Sequence, residues 1–270
     1  MKRTLKLTTT LTGMLGLFVL AGCMTVPETG RKEFILVTSQ QEAQLGLTSF
    51  NQMKEQVPIN RDPAINALVQ KVGRKIAAVA PLPNAQWEFV VFESKEANAF
   101  CLPGGKVGVY TGILPITQNE GGLATVIGHE VSHAVARHGA ERLTHELILQ
   151  GAGKAIESQM ASPTTVATFD KLYGLGTSVG LELPHSRAQE SEADHLGLIY
   201  MARAGYNPQE AIAFWQRFKA VNDKAGSTGG LSDIKWLRTH PLDDKRIADL
   251  QKELPQAMAE FQKAQGTQPK

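Results

Sequence analysis

Apolar positions recur along this chain with two different periods. Ile65, Leu68, Val69, Val72, Ile76 and Val79 are spaced by three and four residues and so share one helical face. Asp62 as cap and Pro63 at the first helical position start that helix, and Pro81 and Pro83 end it. An earlier helix is predicted over about 39–55. The period then shortens. Residues 87–92 form a short, mostly apolar β-like run, and residues 100–102 and 107–110 flank Pro103, Gly104 and Gly105 as the arms of a hairpin. Helical spacing then returns. Thr117 and Glu120 have the spacing of a capping box ahead of Leu123, Val126, Ile127, Val131 and Val135. Pro184, then Ser186 with Gln189, announce a further helix, and Asn207, Pro208 and Glu210 cap another. No internal repeat is visible. The sum is an α+β domain, mainly helical, with a small sheet.

The first 22 residues follow another pattern. Lys2, Arg3 and Lys6 precede an apolar run over 11–20, and then come Leu20, Ala21, Gly22 and Cys23. This reads as a secretory signal. The last quartet looks like the bacterial lipobox, in which Cys23 is lipidated and becomes the mature N-terminus. The apolar run is about half of the roughly 20 residues that a spanning helix needs. Met24, rather than Asp, resembles sorting to the outer membrane, so a lipid tether facing the periplasm is the expected address. The expected division is a signal over 1–22, a tether over 23–35, one domain over 36–258 and a polar tail over 259–270.

Charge changes the picture only by exclusion. The chain carries 28 basic and 26 acidic residues, and the three basic residues of the leader account for the excess. A near-neutral remainder gives no electrostatic case for nucleic acid. Two cysteines exclude a disulfide-rich scaffold. With Cys23 lipidated, Cys101 reads as a small buried hydrophobe.

The candidate chemistry lies in the helix after Glu120. His129, Glu130 and His133 form H-E-x-x-H, and a four-residue step is about one helical turn, so both imidazoles leave one face. Such a pair holds a single Zn²⁺, with Glu130 beside the open position as the base that takes a proton from the attacking water. A metzincin third ligand is excluded, because Ala136 and Gly139 stand where its glycine and histidine are needed. Glu190 on the helix after Ser186 supplies the alternative third ligand. Asp194, one turn on, is placed to accept the second N–H of a ligand histidine. Glu192 points away from Glu190 and reads as solvated.

These residues carry a resemblance. His129, Glu130 and His133 with residues 134–138, then Ser186, Arg187, Glu190, Ala193 and Asp194, resemble a gluzincin zinc metallopeptidase family. It includes CAAX prenyl proteases, HtpX, the BepA and LoiP enzymes and mitochondrial Oma-type proteases. Asn98, Ala99, Phe100, Pro103, Gly104 and Gly105 match as well, as do His240, Pro241 and Arg246. A compact Oma-like or LoiP-like bacterial lipoprotein fits best. The resemblance implies a zincin-like domain whose small antiparallel sheet offers a strand at 106–111 as an open edge beside the zinc cleft. It also implies one zinc ion, unfolded or misfolded envelope proteins as substrates, and a place for His240 near the metal, either as a latch on the open position or as an oxyanion donor. The alternative function is a lipoprotein chaperone or assembly factor with a latent or structural zinc.

The remaining histidines read as structural. His138 is expected at a helix C-terminus as a hydrogen-bonding residue, and His145, His185 and His195 as surface or structural groups. The tryptophans read as core. The glycine-rich segment 140–183 reads equally as a lid or as a helical hairpin.

Overall fold

A computed structural model of the chain describes residues 23–149, 162–173, 175, 185–228, 235–241 and 244–266, so the leader over 1–22 lies outside the described residues. Strands β1 (Cys23–Thr25) and β2 (Lys32–Phe34) pair antiparallel as a ribbon. Residues 23–35, expected as a tether, are therefore folded in part. Val26 is 1% exposed within the main core, because an apolar residue between two short strands gains more from burial than from solvent.

Helices α1 (Ser39–Gln56) and α2 (Pro63–Ala77) begin where the sequence predicts. Thr38 and Gln41 close a reciprocal capping box on α1, and Asp62 accepts from the amides of Ala64 and Ile65.

Strands β3 (Glu88–Phe92), β4 (Ala99–Leu102) and β5 (Lys106–Tyr110) form one sheet in the order β3-β5-β4. β5 is parallel to β3 and antiparallel to β4. This corrects the expectation of an antiparallel sheet with 106–111 at its edge: the sheet is mixed, β5 is central, and β4 is the edge strand that packs on the helix of the H-E-x-x-H motif. Periodicity marks a strand but does not say which distant strand it pairs with. Along the strands Phe89, Val91, Cys101, Val107 and Val109 enter one core, and Phe92, Phe100, Leu102 and Tyr110 another. Both faces are covered, so these strands read as continuous apolar runs.

A 3-10 turn (Thr111–Ile113) and the short α3 (Leu114–Thr117) lead into α4 (Glu120–Val135). The α4 cap is Asn119, which accepts from the Gly122 amide, and not Thr117, whose hydroxyl donates back to the Leu114 carbonyl. Residues 122–135 of α4 are buried on every side, which makes it the central helix of the domain.

Around it lie α5 (His138–Leu149), α6 (Pro163–Leu172), α7 (Arg187–Arg203), α8 (Gln209–Thr228), α9 (Lys235–Thr239) and α10 (Asp244–Gly266). The Ser186–Gln189 capping box starts α7 as the sequence predicts. The main core joins α2, α4, α7, α8 and α10 with one sheet face; α1, α5 and α6 cover the other. The described parts of 140–183 are thus mainly packed helices, and residues 150–161, 174 and 176–184 lie outside the described residues. α10 runs through residues 259–266 of the expected tail, because Phe261 packs against the main core. Among the described residues, no helix is long and apolar enough to cross a membrane.

Candidate active site

Two glycines bring the chemistry together. A Cβ on Gly128 would meet the Gly197 carbonyl oxygen at 3.1 Å, and one on Gly197 would meet the His129 amide nitrogen at 2.9 Å. α4 and α7 therefore cross almost backbone to backbone, which sets His129 and His133 against Glu190 and Asp194.

The ring atoms His129 Nε2 and His133 Nε2 are 3.1 Å apart. Glu190 Oε2 lies 3.5 Å from the first and Glu190 Oε1 3.4 Å from the second. His240 completes the group, its Nδ1 lying 2.9 Å from Glu190 Oε1 and 3.2 Å from His129 Nε2. His129, His133, Glu190 and His240 are all buried, and each offers an atom within 4.8 Å of the others'. His240 follows α9 directly, and its amide donates to the Trp236 carbonyl.

Glu130 stands beside this cluster. Its Oε1 accepts from the Trp236 indole at 2.5 Å and lies 3.3 Å from His240 Nε2. Burial raises its carboxyl above the ordinary value, against the opposing pull of His240, His129 and the indole N–H.

Asp194 Oδ1 lies 3.0 Å from His129 Nδ1. Arg246 grips the same carboxylate with two bonds of 2.7 and 2.8 Å and reaches Glu190 Oε2 at 2.7 Å, while its guanidinium lies 4.0 Å above the Trp215 ring. Burial opposes charge on Glu190, yet His240 and Arg246 hold its carboxyl well below the usual range. Burial likewise opposes a proton on His129, but Asp194 and Glu190 outweigh it and bring its pKa to about 9. Binding a metal there would therefore release the His129 proton.

The donor set fits zinc. With each Nδ1 facing another polar side chain, the two Nε2 atoms, 3.1 Å apart beside the Glu190 carboxylate, are the positions that a metal would take. Imidazole, imidazole and carboxylate are common zinc ligands.

Several residues of the site escape sequence reasoning. Trp236 is a core residue that also holds Glu130. Arg246 belongs to the quoted motif, but nothing in its spacing tells that it clamps Asp194. His185, expected as a surface or structural group, is buried, with its ring 4.0 Å from that of His133 and 5.1 Å from that of His240. His138 opens α5 rather than ending a helix, and lies 2.8 Å from His133, Nδ1 to Nδ1. Glu192, read as solvated, is an ion-paired group bound to Arg31 and His138.

An H-E-x-x-H helix crossed by a glutamate-bearing helix, above a small sheet, is the architecture of a zincin-like metallopeptidase. The chain belongs to Peptidase family M48, whose family model matches residues 63–254. It is similar to the mitochondrial metalloendopeptidase OMA1 of Saccharomyces cerevisiae, with 34% identity over 86% of this chain and 69% of that protein. OMA1 of Arabidopsis thaliana is 37% identical over 80% of this chain and 41% of its own length. The Beta-barrel assembly-enhancing protease of Escherichia coli is 29% identical over 83% of this chain and 46% of its own length. The chain is a zinc metalloendopeptidase of this family.

Proposed function

We propose that the protein is a latent endopeptidase of the bacterial cell envelope, anchored by lipid at Cys23, that hydrolyses misfolded or mislocalised envelope proteins. The observation that carries the latent reading is the four-group cluster of His129, His133, Glu190 and His240 with Glu130 at its side. In this reading His129, His133 and Glu190 hold one zinc ion per chain. Zinc bound there supplies Lewis acidity that activates a water and polarises a peptide carbonyl.

The chain's own groups do the rest. Glu130 takes the proton of the attacking water and passes it to the leaving amine, and Trp236 fixes the carboxylate for that task. Asp194 keeps the His129 proton on Nδ1, and Arg246 holds Asp194 in place. An extended substrate would lie along β4, the sheet edge packed on α4, through backbone hydrogen bonds that demand no particular sequence.

His240 fills the space between Glu190 and Glu130 that water and substrate need. This supports a latch; swung outward with α9, its ring N–H would instead donate to the oxyanion of the attacked carbonyl. The envelope assignment rests on residues 11–23 and on the bacterial relative's name, whereas the OMA1 relatives are mitochondrial by theirs. The filled cluster also favours a second reading, an assembly factor that binds unfolded chains around a structural zinc.

The deciding experiment incubates purified protein with an unfolded chain, with and without chelator, and maps cuts by mass spectrometry. Chelator-sensitive internal cuts support the peptidase. Binding of the unfolded chain with no cut by wild type or by His240→Ala would leave the assembly factor.

A further inference from the structure

The two histidines proposed as ligands are supported from opposite ends of the chain. His129 leans on Asp194, which Arg246 of α10 holds. Among the described residues, His133 meets no carboxylate at its Nδ1. It meets His138 Nδ1 at 2.8 Å, and His138 Nε2 lies 3.0 Å from Glu192 Oε2. Arg31 Nε donates to that same oxygen at 2.6 Å, and the Thr29 hydroxyl donates to Glu192 Oε1. Arg31 and Thr29 belong to the ribbon that begins at Cys23. The segment just after the ribbon is fixed beside the corner between α4 and α5, where Arg137 donates to the Val37 carbonyl and to Glu42, and the Leu36 amide donates to the Thr144 hydroxyl.

The protons in this line have one consistent placement. A histidine that turns Nε2 to a metal keeps its proton on Nδ1, so His133 donates to His138. His138 then accepts on Nδ1, carries its proton on Nε2 and donates to Glu192. The line ends on the Glu192 carboxylate, which accepts from His138, from the Thr29 hydroxyl and from the Arg31 guanidinium. The same guanidinium pairs with the buried Glu33, so the cluster of Glu33, His138 and Glu192 already has its cation.

We infer that Arg31, Glu192 and His138 are positioning residues for His133, so that the ribbon following Cys23 is part of the metal centre's support. The inference rests on the proposed reading of His133 as a ligand. Its plain alternative is that Arg31 and Glu192 only staple the ribbon to α7.

Zinc affinity of the full chain, measured by competition with a chromogenic chelator, and the visible spectrum of the cobalt-substituted protein separate the two. His138→Phe keeps a ring but removes the relay, and Glu192→Gln removes its terminal charge. Each should weaken zinc binding by about 10- to 100-fold, as loss of such outer partners does, and should move the cobalt bands. Glu253→Gln, which breaks an ion pair with His195 away from the site, should do neither. Where His138→Phe does not fold, Arg31→Ala on the partly exposed ribbon gives the same readout with a smaller loss, and Arg31→Lys should recover part of it. Wild-type affinity and unshifted cobalt bands in these variants would overturn the relay. Retained zinc in His133→Ala would instead overturn the ligand assignment beneath it.

Discussion

Gly197 of α7 lies so close to Gly128 of α4 that a single added methyl would stand 2.9 Å from the backbone nitrogen of His129. Helix propensity alone favours Gly197→Ala by about 1 kcal/mol. Steric overlap with backbone works the other way and costs about 1–3 kcal/mol. The expected result is a lower unfolding midpoint together with weaker zinc binding, because the two helices that carry the proposed ligands are forced apart. Thermal denaturation and chelator competition check both. A stabilised variant with wild-type zinc affinity would show that the close approach does not set the site.

Glu192 makes an acid-stability prediction with a definite sign. Its carboxyl drops from an ordinary 4.5 to about 2 in the folded chain. Such a group stabilises the fold above pH 4.5, and its contribution fades as pH falls from 4.5 towards 2. In chelator, to keep metal linkage out, the difference in urea midpoint between wild type and Glu192→Gln should be full near neutrality and should narrow across that acid window. A difference that stays constant from pH 7 to pH 2.5 would contradict the ionised, paired Glu192.

Much of this was legible in the residues, and the reasons for the rest are physical. Capping chemistry is local, so Asp62 and Ser186 announce helices that the structure contains. Helical spacing is local too, so His129 and His133 declare themselves as a pair. The α4 cap, at Asn119 instead of Thr117, is a local miss, and the larger failures concern contacts between distant segments. The parallel pairing of β3 with β5 leaves no periodic trace, and the strand at 106–111, an edge by the family resemblance, is the central one. Glu192 lies off the Glu190 face of α7, and nothing near it in sequence tells that Arg31, 161 residues away, turns it into a half-buried ion pair. Trp236 and His185 show the same gap: their types fit a core, and only the fold aims them at Glu130 and His133.

The address is tested by Cys23→Ser. The variant should lose lipid label and leave the membrane fraction, while its soluble form keeps peptidase activity, because residues 24–35 hold the ribbon without a lipid. Variant protein that stays with membranes after a carbonate wash would mean that something other than Cys23 anchors the chain.

His240 separates a latch from an oxyanion donor. The ring lies 2.9 Å from Glu190 and 3.3 Å from Glu130, the space that the proposed reading gives to substrate. His240→Ala should raise the basal rate on an unfolded protein while zinc remains bound. A fall in kcat with KM unchanged would assign the residue to the oxyanion instead.

Glu130 carries the central claim, because the proposed reading gives it the proton transfer and no part in holding the metal. The most direct measurement is the rate of cleavage by Glu130→Gln loaded with zinc, compared with wild type on the same unfolded substrate. The account predicts about one zinc per chain, an unchanged fold and a rate lower by about 10²- to 10⁴-fold, the usual worth of a positioned proton acceptor. Zinc-loaded Glu130→Gln that cuts at the wild-type rate would contradict it.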